Sequence, residues 1–298
     1  MEGWMNRCTL CPRRCGADRT VSVGRCGVGE QVRLARAALH FWEEPCVSGA
    51  EGSGTVFFSG CSLGCVFCQN YQISAGHFGR DIPVERLAEI FLELQEQKAN
   101  NINLVTGGHY IPQIVRALDL VRGKLHIPVV YNSSGYETVE ALRMLKGYVD
   151  IYLPDLKYRS PERGARYSHA PDYFAVASKA ILEMLDQVGP VQFDGRGMIQ
   201  RGLIVRHMVM PNGVEDSMDI LTWIAGNLPL DDILVSVMSQ YTPFYKSGEY
   251  PEIDRRLTAR EYDRVLDWLD CMGIENGFVQ ELSSAKEEYT PDFSLQGV

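Results

Sequence analysis

From residue 55 onward, short apolar runs alternate with longer stretches in which apolar residues recur three and four positions apart. The short runs predict strands at 55–59, 102–106, 127–131, 149–153, 203–209 and 232–238. Pro83 suits the first position of a helix, and Leu87, Ile90, Phe91 and Leu94 then fall on one face. Further helices are predicted at about 111–122, 137–146, 172–188, 216–227 and 259–272. Alternation of this kind builds a parallel sheet covered by helices, so the fold class is α/β. The segment Phe278–Glu281 reads as a closing edge strand near the end of the chain. Residues 1–50 break the pattern and read as a cysteine-rich metal-binding segment ahead of a core spanning 51–298.

Composition narrows the function classes. The chain has 298 residues, 45% hydrophobic and 22% charged, as expected of a globular protein with a sizeable core. Its net charge of −9 argues against nucleic acid or an anionic membrane as a partner. No apolar stretch approaches the roughly 18 residues of a membrane span. The opening Met1-Glu2-Gly3-Trp4 does not read as a signal peptide, so a cytoplasmic location is expected. Nine cysteines in such a chain point to metal ligation in a reducing compartment rather than to disulfides.

Seven of the nine fall into two groups. Cys8, Cys11, Cys15 and Cys26 form C-x2-C-x3-C-x10-C in a glycine-studded stretch. Four thiolates in so short a segment can make one metal site, and both zinc and an iron–sulfur cluster are compatible with them. The second group, Cys61, Cys65 and Cys68, has the spacing C-x3-C-x2-C and follows the first predicted strand. A [4Fe–4S] cluster takes cysteine thiolates, normally four. Three local ligands leave one iron open for another ligand. Cys46 and Cys271 stand alone.

The loop Cys61-Ser62-Leu63-Gly64-Cys65-Val66-Phe67-Cys68 resembles the cluster motif of the radical S-adenosylmethionine (SAM) enzymes, including aromatic Phe67 before the last cysteine. The resemblance implies a partial (β/α)6 barrel whose open iron chelates SAM. It also implies reductive cleavage of SAM to a 5′-deoxyadenosyl radical that abstracts hydrogen from a substrate. In such barrels the reactive groups sit at the C-terminal strand ends. The resemblance makes Gly107, Gly108 and His109 the counterpart of a Gly-Gly-Glu motif that holds the SAM amino group, with His109 departing from the pattern. It likewise assigns Asn132 and Ser133, then Asp155 and Lys157, then Arg206 and His207, to the cofactor side. Gln240 and Tyr241 would line the mouth.

The stretches His40-Phe41-Trp42-Glu43-Glu44-Pro45-Cys46 and Val130-Tyr131-Asn132 are similar to the pyruvate formate-lyase activating enzyme-like subgroup, as is the N-terminal cysteine group. That similarity implies an electron donor such as flavodoxin or ferredoxin and a glycyl-radical enzyme as substrate. Radical modification of a peptide or small molecule is the alternative. A non-catalytic protein that binds zinc through Cys8, Cys11, Cys15 and Cys26 is a lesser one.

Overall fold

The computed structural model describes residues 3–282 and 291–298. A short helix α1 (Gly3–Asn6) and the cysteine-rich loops precede strand β1 (Val32–His40). Next come α2 (Pro45–Ser48), β2 (Ser53–Phe58), α3 (Tyr71–Ser74), β3 (Arg80–Ile82) and α4 (Val84–Glu96). The central units are β4 (Ile102–Val105), α5 (Ile111–Leu120), β5 (Val129–Ser133), α6 (Val139–Met144) and β6 (Ile151–Pro154). Helices α7 (Pro161–Ser168) and α8 (Tyr173–Val188) lead to β7 (Gln192–Phe193) and β8 (Ile199–Met208). The chain continues through α9 (Val214–Asn227), β9 (Leu234–Met238), α10 (Ala259–Cys271) and β10 (Gly277–Val279).

All six predicted strands exist. β2, β4, β5, β6, β8 and β9 are adjacent in that order and parallel throughout, and β10 extends the edge beside β9. One strand was not predicted. Residues 32–40, inside the segment set apart by its cysteines, form β1, which pairs antiparallel with β2 and carries β3 on its far side.

One face of the sheet lies under the helices, where Tyr131, Tyr152, Leu203 and Val205 are fully buried. Residues from β2, β4, β5, β8, β9 and β10, with Asp155 just past β6, line a single cavity on the other face, so the sheet curves around it as a partial barrel. The N-terminal strand ends are stoppered by α2. Its Cys46 and Val47 pack against Val130, Ile151, Leu153, Ile204 and Leu234. Burying such side chains contributes about 1.5–3 kcal/mol each. Asn100 and Asn101 donate to the carbonyls of Ser48 and Val47, both at 2.7 Å, and fasten this plug. The cavity therefore opens towards the C-terminal strand ends, where the loops carry chemistry. Among the described residues no helix is long and apolar enough to cross a membrane.

Candidate active site

β2 gives way after Phe58 to Ser59-Gly60, and Gly60 takes φ +89°. A Cβ there would sit 2.7 Å from the carbonyl oxygen of Cys26, so only glycine fits the turn. The turn delivers Cys61, Cys65 and Cys68 to one wall of the cavity, which measures about 290 Å³. Each sulfur has a donor: Ser168 Oγ to Cys65 Sγ at 2.9 Å, Ser74 Oγ to Cys68 Sγ at 3.3 Å, and the Leu63 N–H to Cys61 Sγ at 3.4 Å. Burial, with the neighbouring sulfurs adding to it, pushes the Cys65 thiol up to about 12, and burial likewise raises Cys68, while Lys157 acts in the opposite direction on both. Phe67 packs edge-on to Tyr158 and tilted against Tyr241 beside the loop.

Across the cavity, partly buried charges form a network. Arg206 donates from Nε to Asp155 Oδ1 (2.9 Å), from Nη1 to Glu43 Oε2 (2.9 Å) and from Nη2 to Asn132 Oδ1 (2.6 Å). Lys157 Nζ bonds Asp155 Oδ2 at 2.6 Å. Burial alone would raise the Asp155 carboxyl, but Lys157 and Arg206 outweigh it and hold the group below the usual carboxylate range. Glu43 also accepts from Asn132 and Asn103, at 3.1 and 3.2 Å. The Tyr173 hydroxyl lies 2.7 Å from the carbonyls of both Ser134 and Asp155 and accepts the Lys157 N–H at 3.0 Å, tying the ends of β5 and β6 together.

Residues 55–221 match the family model for the radical SAM superfamily. The chain belongs to the radical SAM superfamily. An uncharacterized protein of Methanocaldococcus jannaschii is 35% identical over 277 residues, covering 90% of this chain and 75% of that protein. Two solved structures share the fold at a TM-score of 0.51. One is Streptococcus suis SuiB bound to S-adenosylmethionine, at 13% identity and covering 76% of this chain and 50% of SuiB. The other is the FeFe-hydrogenase maturase HydG from Carboxydothermus hydrogenoformans, at 12% identity and covering 79% and 56%. The chain thus spans about half the length of these two proteins.

Members of the superfamily are enzymes, and membership implies a [4Fe–4S] cluster and SAM. The donor set fits such a cluster: three soft sulfurs on one cavity wall, each with a hydrogen-bond donor that stabilises a thiolate. Among the described residues no three Cys, His, Asp or Glu side chains close around a single metal ion. Cys61, Cys65 and Cys68 are the residues that would hold the cluster.

Several positions that the radical SAM resemblance assigned to the cofactor lie elsewhere. Strand alternation turns Arg206 and Met208 into the cavity and His207 away from it. Its ring nitrogens contact the Leu156 carbonyl at 2.7 Å and Ser217 Oγ at 2.8 Å under α9. Gly107, Gly108 and His109 are also off the cavity wall. A Cβ on Gly107 would meet Ile114 at 2.7 Å and one on Gly108 would meet the Glu137 carboxylate at 2.5 Å, so these glycines serve packing. Thr106, at φ +59°, faces the cavity instead. His109 is buried, and burial pushes its pKa down to about 3. The neutral ring then donates from Nε2 to the Ser59 carbonyl at 2.8 Å and braces the end of β2 from behind. Asn132 and Ser133 do line the cavity, although the Ser133 hydroxyl accepts the Gly135 N–H at 3.1 Å and so serves its turn.

The N-terminal cysteines draw together beside the cluster loop. A Cβ on Gly24 would lie 3.3 Å from Cys26 Sγ and 3.6 Å from Cys15 Sγ. Burial, with the neighbouring cysteines adding to it, raises Cys11 to about 12. The Cys61 N–H donates to the Cys26 carbonyl at 3.2 Å. Arg13 grips the cluster loop directly, from Nε to Ser62 O at 2.8 Å and from Nη2 to Leu63 O at 3.4 Å and Ser168 O at 2.9 Å. Its Nη1 bonds the His169 carbonyl, and its guanidinium lies 5.2 Å from the centre of the Tyr136 ring. Glu43, Glu44 and Arg13 were not legible as site residues. Their partners lie far along the chain, and the one local hint was an acidic pair set between Trp42 and Pro45.

Proposed function

We propose that this radical SAM protein cleaves SAM reductively and transfers a hydrogen atom from a substrate held in the barrel. One observation carries the proposal: Cys61, Cys65, Cys68 and the Asp155–Lys157–Arg206 network line the same cavity. The cluster, when bound, would supply one electron to SAM and so generate the hydrogen-abstracting deoxyadenosyl radical. Everything else falls to the chain's own residues. Lys157 offers donors to the SAM carboxylate and Asp155 an acceptor to its amino group. Phe67 and Tyr241 exclude water beside the cluster loop.

We infer an activating-enzyme-like role, with the glycine of a glycyl-radical enzyme as substrate and flavodoxin or ferredoxin as electron donor. Its support is the subgroup similarity around Phe41–Cys46 and in the N-terminal cysteines. Radical modification of a peptide or small molecule is the second reading, favoured by the plug of α2, which turns the barrel into a closed-bottom chamber. Cys8, Cys11, Cys15 and Cys26 are proposed to hold a second metal centre, zinc or iron–sulfur.

The test uses reconstituted protein, reductant, SAM and a glycyl-loop peptide carrying deuterated glycine. Deuterium in the 5′-deoxyadenosine supports activation. Deoxyadenosine without deuterium supports the second reading, and no deoxyadenosine contradicts both.

A further inference from the structure

The cavity floor has one carboxyl more than its cations can match. Arg206 and Lys157 are paired with Asp155 and Glu43. Glu44 is left over. Only 7% of it is exposed, it lines the cavity, and its Oε2 has no hydrogen-bond partner among the described residues. Nor can it easily turn away. Its carbonyl accepts the N–H groups of Val47 and Ser48 at 2.8 and 3.0 Å, so its backbone is locked to the first turn of the α2 plug. A buried polar atom without a partner costs free energy that a bound group of the right chemistry would recover.

We propose that Glu44 is a specificity-determining residue that receives a cationic nitrogen, an alkylammonium or guanidinium group, of the substrate. The inference rests on the cavity being the chamber for SAM and substrate, and it narrows the substrate to a molecule with a basic group. An anion is disfavoured, because Glu43 adjoins Glu44 and two carboxyls would face it. Phe57, Met238 and Phe278 supply apolar wall for the alkyl stem that carries such a group.

Burial raises the Glu44 carboxyl, Glu43 adds to the rise, and Arg206 from β8 opposes it without cancelling it. The Ser236 side chain from β9 hydrogen-bonds the carboxyl and also opposes the rise, leaving Oε2 as the unmatched oxygen, and the Cys46 thiol of α2 completes the surroundings.

The experiment is calorimetry on the anaerobically reconstituted full chain with SAM present. The probes are n-butylamine, n-butylguanidine and the neutral n-butanol. The amine and guanidine should bind, and butanol should not. Glu44→Gln should weaken amine binding by about tenfold or more and leave SAM affinity unchanged. An amine that binds no better than butanol overturns the proposal in wild-type protein whatever the variant does. So does a Glu44→Gln protein that keeps its amine affinity. A variant that folds but loses SAM would make Glu44 a cofactor ligand and equally overturn it. Wild-type protein that binds the amine yet cleaves no SAM would contradict the function proposed for the chamber, not this inference.

Discussion

Arg13→Gln isolates the contact between the N-terminal cysteines and the cluster loop. The guanidinium reaches four backbone carbonyls, those of Ser62, Leu63, Ser168 and His169, from residues 49 to 156 positions distant. Hydrogen bonds to a charged group contribute about 1.5–3 kcal/mol each when well formed. The bonds at 2.8 and 2.9 Å meet that description, the one at 3.4 Å is weak, and the one to His169 is exposed enough for water to replace it. The cation over the Tyr136 ring adds about 0.5–1 kcal/mol. Discounting for partial exposure, the loss should be ~2–4 kcal/mol. Because Ser168 also donates to Cys65 Sγ, the damage should concentrate on the cluster loop. Urea denaturation gives the magnitude, and amide hydrogen exchange across residues 61–68 gives the location. Arg14→Gln, an exposed neighbour, is the control. A loss below ~0.5 kcal/mol, with exchange at 61–68 unchanged, would refute the clamp.

Arg206→Met leaves Glu43 and Asp155 buried without their shared cation, and should cost about 3–5 kcal/mol in denaturant titration. Gly60→Ala forces a Cβ to within 2.7 Å of the Cys26 carbonyl at a positive φ, and the protein should lose iron on reconstitution relative to wild type. His109 is neutral in the fold with its pKa lowered from 6.5 to about 3, so the stability it contributes is complete above 6.5 and falls away as pH drops towards 3. His109→Gln should flatten that acid limb of the stability curve, and an unchanged limb would show that His109 titrates freely.

Strand positions were legible because the barrel strands are buried on both faces and read as unbroken apolar runs. The same property hid their facing. In Ile204-Val205-Arg206-His207-Met208 no alternation of polarity marks which residue points inward, so His207 passed for a cofactor contact beside Arg206, the residue that faces the cavity. Val32–His40 escaped notice because arginines at 33 and 36 interrupt its apolar positions and the surrounding cysteines and glycines suggested loop. That Cys61, Cys65 and Cys68 come together on one cavity wall was legible from their spacing. What braces them was not, since Ser168 and Arg13 meet that loop, and His109 the end of β2 before it, only through tertiary structure.

The most direct test of the account is 5′-deoxyadenosine formation by anaerobically reconstituted, reduced protein given SAM, with Cys61→Ala, Cys65→Ala and Cys68→Ala variants alongside. Product from wild type, and none from any variant, is the predicted result. A variant that retains SAM cleavage would show that these three thiols do not hold the cluster, and the central claim would fall.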